Sequence, residues 1–295
     1  MAEPIDLIHR YDPDQPEHDP PADADTARRL LVTGNRRFAR WIDSCADERP
    51  QVGKPPEFVI PVSAVELGLK PSKQTPFAFL LGCSDARVPA ETIFGSMRNH
   101  LFVVRMAGNV LSEDCLGSLD YAAHHLDTLR IGVVLGHSGC GAVAAAVDTY
   151  LDPWSYLGQT TSPALRSIVE RLLVPVRKAT QALERVAGAG VELQTGYREA
   201  LREATEMINA MHSAYGMRQQ LEQAGKRGIV VHYGVFDLEH HRIRTAPPEN
   251  PGDTVMEVVL AEAPANLKEF EELSRRVARR AARRLTGLAG PGKKS

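Results

Sequence analysis

Residues 77–87 read Phe-Ala-Phe-Leu-Leu-Gly-Cys-Ser-Asp-Ala-Arg, and residues 131–141 read Ile-Gly-Val-Val-Leu-Gly-His-Ser-Gly-Cys-Gly. Each stretch begins with a short apolar run, which is typical of a strand buried on both faces of a parallel sheet. Each run leads into residues that carry chemistry. Because ligands of such sheets sit at the carboxyl ends of the strands, the two stretches predict one site at a shared edge.

The rest of the chain alternates between further strand and helix patterns, which is typical of an α/β domain. The predicted strands lie at 77–82, 101–104, 131–135 and 228–238. The predicted helices lie at 26–41, 89–97, 116–126, 141–147, 164–185, 197–223 and 266–285. We expect Pro175 to interrupt the fifth helix, and Asn266 with Glu269 to cap the last one, which Gly287 ends. The fold class is therefore α/β, with a central, mostly parallel sheet flanked by helices.

Composition excludes several classes of protein. The chain has 295 residues, is 43% hydrophobic and carries a formal net charge of -2, which argues against binding nucleic acid over a whole basic face. No apolar run approaches the roughly 18 residues that span a bilayer. The polar, Pro-rich start has no features of a signal peptide. We therefore expect a cytoplasmic protein without a transmembrane segment or a nucleic-acid partner.

The sequence divides into three predicted parts. Residues 1–25 form a flexible N-terminal segment, and residues 26–245 form the catalytic domain, in which 26–41 is a helical arm and 45–75 a loop or extended arm. Residues 246–295 form a C-terminal extension whose helix places several arginines beside an apolar stripe. Such a helix either binds a membrane surface or nucleic acid, or packs on the protein with a solvated Arg face. We favour the packed helix.

Five side chains are expected to converge where the first and third strands end: Cys83, Asp85, Arg87, His137 and Cys140. Two thiolates and one imidazole suit zinc, and three protein ligands leave the fourth position that a catalytic zinc requires.

Four other interpretations use the same residues. The glycines around His137 resemble a phosphate-binding loop, but they do not spell G-x-G-x-x-G. Residues 136–140 nearly spell the G-x-S-x-G elbow of hydrolases, but Cys140 stands in the last glycine position. A thiol hydrolase built on Cys83, His137 and Asp85 leaves Cys140 and Arg87 without a role. A structural zinc site needs a fourth ligand, for which the candidate is a carboxylate.

Two motifs carry a resemblance to a known family. Residues 83–91, Cys-Ser-Asp-Ala-Arg-Val-Pro-Ala-Glu, and residues 136–143, Gly-His-Ser-Gly-Cys-Gly-Ala-Val, resemble the C-x-D-x-R and H-x-x-C motifs of the β-class carbonic anhydrases. Residues 101–110 and 118–122 are also similar to that family, except that Met106 replaces its usual Asn. The resemblance is dense over about 74–148.

The resemblance implies a zinc enzyme. Cys83, His137 and Cys140 would bind Zn²⁺, and Asp85 with Arg87 would form the catalytic dyad. The implied reaction is the reversible hydration of CO₂ to bicarbonate and a proton, by attack of zinc-bound hydroxide on CO₂.

The family has two resting forms, an open form and a closed one in which the carboxylate that matches Asp85 ligates the zinc. The closed form accompanies a Trp–Tyr bicarbonate pocket in some members. Leu80 and Phe236 stand at those two positions here, so we expect the open form.

The resemblance also implies a substrate pocket and an oligomer. Gln74, Phe102, Ala107 and Tyr121 match residues that contact substrate or line the apolar wall. In the family these residues often come from the partner subunit, so we expect a homodimer or a higher even oligomer, with the helix at 26–41 as a swapped arm. Two rival functions remain open: a COS or CS₂ hydrolase on the same zinc site, and a non-catalytic zinc- or bicarbonate-binding module.

Overall fold

The computed structural model describes residues 7–11, 19–46, 58–62, 69, 73–154, 162–248 and 260–285. The strands in these ranges are β1 (Leu7–Tyr11), β2 (Phe58–Val62), β3 (Ala78–Gly82), β4 (Leu101–Arg105), β5 (Ile131–His137), β6 (Val230–Phe236), β7 (Ile243–Arg244) and β8 (Ala261–Glu262). The α-helices are α1 (Ala24–Ala46), α2 (Ala90–Ile93), α3 (Glu113–His125), α4 (Gly141–Leu151), α5 (Pro163–Ala187), α6 (Tyr197–Gln223) and α7 (Leu267–Ala281).

The central sheet has the order β4-β3-β5-β6-β7, and β8 also pairs with β6. Strands β4, β3, β5 and β6 are parallel, whereas β7 and β8 run antiparallel to β6. All residues of β3 and β5 are buried, which explains why their sequences are apolar without alternation. The predicted α/β fold with a mostly parallel sheet is confirmed.

Helices cover both faces of this sheet. On one face, Leu31 and Phe38 of α1 and Ile93 of α2 pack with Leu80 and Val133 of the sheet. On the other face, a larger core joins the alternate side chains of the strands to α3, α4, α5, α6 and α7. The site described below lies at the edge between these two layers, where the parallel strands end.

Helix α1 packs on the sheet of its own chain, whereas a swapped arm would pack on a partner subunit. Leu31 is fully buried in the core that contains β3 and β5. The buried side chain of Asn35 donates to the carbonyl of His241 (3.2 Å) and accepts from the amide of Ile243 (3.1 Å). These contacts fix α1 to the β6–β7 connection of the same chain.

Several predicted boundaries need correction. Pro175 does not interrupt α5, because it removes one backbone donor only and residues on both sides, Leu172 and Val176, are packed in the core. The helix expected at 89–97 ends at Ile93, since the chain turns at Gly95 with a φ of 56°.

The N-terminal segments also differ from expectation. The segment expected to be flexible holds β1, and the loop expected at 45–75 holds β2, with which β1 pairs in parallel. The predicted C-terminal extension at 246–295 lies partly outside the described residues, and Gly287 lies wholly outside them.

Helix α7 packs as part of the domain. Its residues Phe270, Val277 and Ala281 are buried in the larger core, and the Asn266 side chain caps it by accepting from the amide of Glu269 at 3.0 Å. Arg280 faces α6, where its Nε lies 3.5 Å from Glu203 Oε1. The structure therefore agrees with the packed-helix interpretation. Among the described residues, none of the helices has both the length and the apolar character that a bilayer crossing requires.

Candidate metal centre

The topology brings three predicted metal ligands together. Cys83 directly follows β3, His137 is the last residue of β5, and Cys140 lies one turn further on, at the N-terminus of α4. Because β3 and β5 are adjacent and parallel, both strands end at the same edge of the sheet. The ligand atoms of the three residues all lie within 4.8 Å of one another, and all three residues are buried.

The turn that carries Cys140 is tightly held. The amide of Ser138 donates to the carbonyl of Phe236 (2.9 Å), and the Ser138 hydroxyl accepts from the amide of Leu238 (3.0 Å). Gly139 has a φ of 67°, a conformation that glycine adopts without strain. The sequence His-Ser-Gly-Cys therefore folds into a fixed link between β5 and α4.

The two thiols form a strongly coupled pair. The hydrogen bond from Cys140 is the main cause that lowers the pKa of Cys83, against the opposing effect of burial. The same contact, together with burial, raises the pKa of Cys140. The contact between the two sulfurs therefore favours the thiolate form of Cys83, which is the form that binds a metal ion.

His137 shows that the residues fit a metal ion. Its Nδ1 contacts the carbonyl of Ser138 at 3.0 Å, which leaves Nε2 for another partner. Nε2 is buried and has no hydrogen-bond partner within the described part of the chain. A buried polar atom without a partner is costly, and a metal ion held by His137 and the two cysteines would give Nε2 a partner. Zinc suits this donor set.

A carboxylate and a guanidinium lie next to the three ligands. Asp85 accepts two hydrogen bonds from the Arg87 side chain, from Nε at 2.9 Å and from Nη2 at 2.7 Å. These bonds hold the pKa of Asp85 well below its usual range. Asp85 Oδ2 lies 3.8 Å from His137 Nε2, so the ionised carboxylate faces the metal-binding atoms.

Arg105, at the end of β4, fixes the backbone of the same loop. It donates from Nε to the carbonyl of Cys83 (3.1 Å) and from Nη2 to the carbonyl of Asp85 (2.5 Å).

The predicted substrate residues fall into three places. Ala107 precedes Gly108, whose amide donates to Cys83 Sγ at 3.3 Å, so Ala107 borders the site. Phe102 and Tyr121 form an aromatic pair with ring centroids 6.3 Å apart, and Tyr121 is 50% exposed. Gln74 is exposed ahead of β3, whereas Cys83 follows its other end. One chain therefore does not bring Gln74 to Cys83.

Three polar residues of α6 reach the site and were not singled out from the sequence. Glu206, Asn209 and Ser213 are buried, and each bonds to a loop beside a predicted ligand. Burial raises the pKa of Glu206 to about 7, and the amides of Cys140 and Gly139 counteract part of that rise. Their signal in the sequence is a polar spacing of three and four on an otherwise apolar helix face.

This α/β fold, with a Cys₂His group at the strand ends, defines a class of metal-binding protein, and comparison with known proteins identifies the family. The family model described as "Carbonic anhydrase" matches residues 78–243, which is more than half of the chain. The chain belongs to the carbonic anhydrase family. This finding confirms the resemblance to the β class that the motifs indicated.

Individual relatives share part of the chain. Carbonic anhydrase 2 of Mycobacterium tuberculosis is 38% identical over 146 residues, which cover 50% of this chain and 61% of that protein. A carbonic anhydrase of Mycolicibacterium smegmatis is 44% identical over 99 residues, covering 34% of this chain and 45% of that protein. The chain thus matches less than two thirds of the length of either relative.

Among solved structures, a Coccomyxa β-carbonic anhydrase in complex with acetazolamide aligns with 73% of this chain and 84% of its own. Its TM-score is 0.48 and its identity is 21%. A tetrameric β-carbonic anhydrase from Sordaria macrospora aligns with 61% of this chain and 83% of its own, with a TM-score of 0.45 and 22% identity.

Proposed function

We propose that this protein is a zinc-dependent carbonic anhydrase that catalyses the reversible hydration of CO₂ to bicarbonate and a proton. The observation that carries the proposal is the convergence of Cys83, His137 and Cys140 beside the Asp85–Arg87 pair. Membership of the carbonic anhydrase family supports it. Within the described part of the chain, three residues could hold the ion together: Cys83, His137 and Cys140. Three protein ligands leave the fourth position open, as a catalytic zinc requires.

Cys83, His137 and Cys140 would hold the zinc. Zinc held there supplies Lewis acidity, which lets water act as a nucleophile towards CO₂ near neutral pH. The protein keeps His137 in the correct tautomer, because Nδ1 donates to the carbonyl of Ser138 and leaves Nε2 free to bind.

Asp85 is the proposed hydrogen-bond acceptor for the reacting water. Its carboxylate remains ionised because Arg87 holds both oxygens, so it accepts and does not donate at neutral pH. A fixed acceptor at Oδ2 orients the water so that a lone pair points at CO₂. Arg87 thus has two roles: it fixes the direction of Asp85 and keeps the carboxylate from binding the cation.

We infer that the resting site is open, with Asp85 bound to Arg87. Leu80 and Phe236 lie together in the core on the α1 side of the sheet, both almost fully buried. Neither has a polar side-chain atom that could bind bicarbonate or draw Asp85 away from Arg87. Bicarbonate is then a simple product inhibitor, and activity rises through neutral pH without a cooperative switch.

We propose that a second subunit completes the substrate pocket. Gln74 lies at the opposite end of β3 from Cys83, and a five-residue strand spans roughly 13 Å from first to last residue. Phe102 and Tyr121 lie on the edge strand β4 and on α3, where a partner could cover them. A homodimer or a higher even oligomer would bring these residues to the metal of the neighbouring subunit.

Two substitutions separate the metal ligands from the dyad. Cys140→Ser should lose zinc and CO₂ hydration together, because a serine hydroxyl is a poor zinc ligand. Asp85→Asn should keep about one zinc per chain and lose at least about 10-fold in hydration rate, because an amide cannot hold Arg87 by charge. Metal analysis and stopped-flow hydration on the same samples measure both effects.

The chain offers matched controls for both variants. Cys115 is a buried thiol outside the metal group, so Cys115→Ser should leave zinc content unchanged. Asp148 forms a similar ion pair with Arg198 (2.6 Å) away from the site, so Asp148→Asn should leave hydration unchanged. Near-normal turnover of Asp85→Asn, or full zinc content in Cys140→Ser, would show that the assigned roles are wrong.

A further inference from the structure

Helix α6 carries a buried polar stripe that faces the metal-site loops. The stripe consists of Glu206, Asn209 and Ser213, whose exposed fractions are 8%, 2% and 2%. Residues at spacings of three and four lie on one face of a helix. Polar groups at such depth are costly unless they have partners, so the partners show what the stripe does.

Glu206 binds the turn that carries Cys140. Its Oε1 accepts from the amide of Gly139 at 2.7 Å and from the amide of Cys140 at 3.3 Å. These two amides lie at the beginning of α4, directly beside the predicted sulfur ligand. One carboxylate therefore fixes the orientation of the peptide from which the Cys140 side chain projects.

Asn209 and Ser213 bind the loop on the other side of the site. Asn209 Nδ2 donates to the carbonyl of Gly108 at 2.7 Å, and the Ser213 hydroxyl donates to the carbonyl of Asn109 at 3.1 Å. The amide of Gly108 in turn donates to Cys83 Sγ. The same helix therefore holds both the Cys140 turn and the hydrogen-bond donor to Cys83.

Close packing around Gly108 restricts the conformation of this loop. Gly108 has a φ of 66°, and a Cβ there would lie 3.0 Å from Leu172 Cδ1 and 3.2 Å from Ala142 Cβ. The loop is thus pressed between α4 and α5, with Asn209 holding its carbonyl from α6. Little freedom remains for its amide to turn away from Cys83.

We propose that Glu206, Asn209 and Ser213 are positioning residues that preorganise the two thiolates for the metal ion. The inference rests on the proposed function, since it assumes that Cys83, His137 and Cys140 bind zinc. It extends that function to α6, which contributes no ligand but sets the affinity of the site. A purely structural stripe would stabilise the fold and leave the affinity for zinc unchanged.

The test measures metal affinity separately from folding. Zn²⁺ affinity is determined by competition with a chelator, and the thiolate–cobalt absorption bands are recorded after loading with Co²⁺. Glu206→Leu should weaken Zn²⁺ binding by about 10- to 100-fold and change the Co²⁺ bands. Glu206→Gln keeps an oxygen that accepts both amides, so it should restore the affinity to within a few-fold of wild type. Ser213→Ala removes one hydrogen bond and should weaken binding roughly 2- to 10-fold.

Thr205 provides the matched control on the same helix. Its buried hydroxyl donates to the carbonyl of Leu201 within α6 and not to either loop. Thr205→Val should therefore leave the Zn²⁺ affinity and the Co²⁺ bands unchanged, even where it alters stability. Wild-type affinity in folded Ser213→Ala and Glu206→Leu would overturn the inference alone. A wild-type protein that binds neither Zn²⁺ nor Co²⁺ would overturn the proposed function and this inference with it.

Discussion

In the proposed mechanism, the carboxylate of Asp85 stays ionised beside the metal ligands and does not bind the cation itself. Arg87 meets both conditions, because its two hydrogen bonds stabilise the charge and occupy both oxygens. The Arg87 side chain is 58% exposed, whereas that of Asp85 is 18% exposed. The guanidinium of Arg87 therefore faces solvent, and the carboxylate of Asp85 faces the site.

His232 carries a second kind of electrostatic effect, one that acts on folding. It is buried on β6, and burial lowers its pKa from 6.5 to about 4. Between these two values the unfolded chain binds more protons than the native protein, so stability rises with pH. The contribution of His232 is complete above pH 6.5 and is lost as the pH falls towards 4.

We predict that His232→Gln reduces this pH dependence. The free energy of unfolding, measured with urea at pH 5 and at pH 7, should increase more with pH in the wild type than in the variant. The difference should be up to about 1.4 kcal/mol per pH unit. Glu206 acts in the opposite direction, because its raised pKa favours the protonated native state. Comparing the two proteins cancels that contribution. Identical pH profiles would contradict the assignment to His232.

Two glycines inside helices show how close packing sets the sequence. In α1, a Cβ on Gly34 would lie 1.8 Å from the carbonyl oxygen of Phe94, so the helix reaches α2 only because that side chain is missing. In α3, a Cβ on Gly117 would meet nothing within 4 Å. Both substitutions to alanine gain the same helix propensity, and they differ only in the space available.

We predict opposite changes in stability for the two variants. Gly117→Ala should raise the free energy of unfolding by roughly 0.5–1 kcal/mol, because alanine favours the helix. Gly34→Ala should lower it by about 2–3 kcal/mol, because α1 must move away from α2. Urea unfolding of both variants measures the pair. A stabilised Gly34→Ala protein would mean that α1 does not pack on α2 in solution.

The strands and motif residues could be predicted because local chemistry determines them. β3 and β5 are buried on both faces and are therefore apolar throughout, and Cys83, His137 and Cys140 follow where these strands end. The continuity of α5 through Pro175 could not be predicted, since it depends on packing against other elements. The same holds for β1 and β2, which exist through pairing between distant segments.

The contacts of the polar stripe on α6 also could not be predicted from the sequence. The bounds of α6, Tyr197–Gln223, agree with prediction because helix periodicity is a local property. The partners of Glu206 and Asn209 lie 67 and 101 residues away in the chain. No local pattern predicts such contacts, although the spacing of three and four places the three polar residues on one helix face.

We expect the substrate pocket to be complete only in an oligomer of this chain. β4 is the edge strand of the described sheet, and half-exposed Tyr121 lies beside it. We predict that sedimentation velocity of the full chain gives a dimer or a higher even oligomer. Tyr121→Asp should weaken it, because a charge would be buried at the interface. Leu193 is 86% exposed and lies in a different segment, so Leu193→Asp should not weaken it. A monomeric wild type would contradict the proposed shared pocket.

The most direct test of the proposed function is stopped-flow CO₂ hydration measured against zinc occupancy. Metal-free protein is titrated with Zn²⁺ at pH 8, and the hydration rate is recorded at each step, with COS and CS₂ as alternative substrates. We predict that the CO₂ hydration rate rises in proportion to bound zinc, reaches its maximum at about one zinc per chain and far exceeds turnover of COS or CS₂. A fully zinc-loaded protein that hydrates CO₂ no faster than the metal-free protein would contradict it.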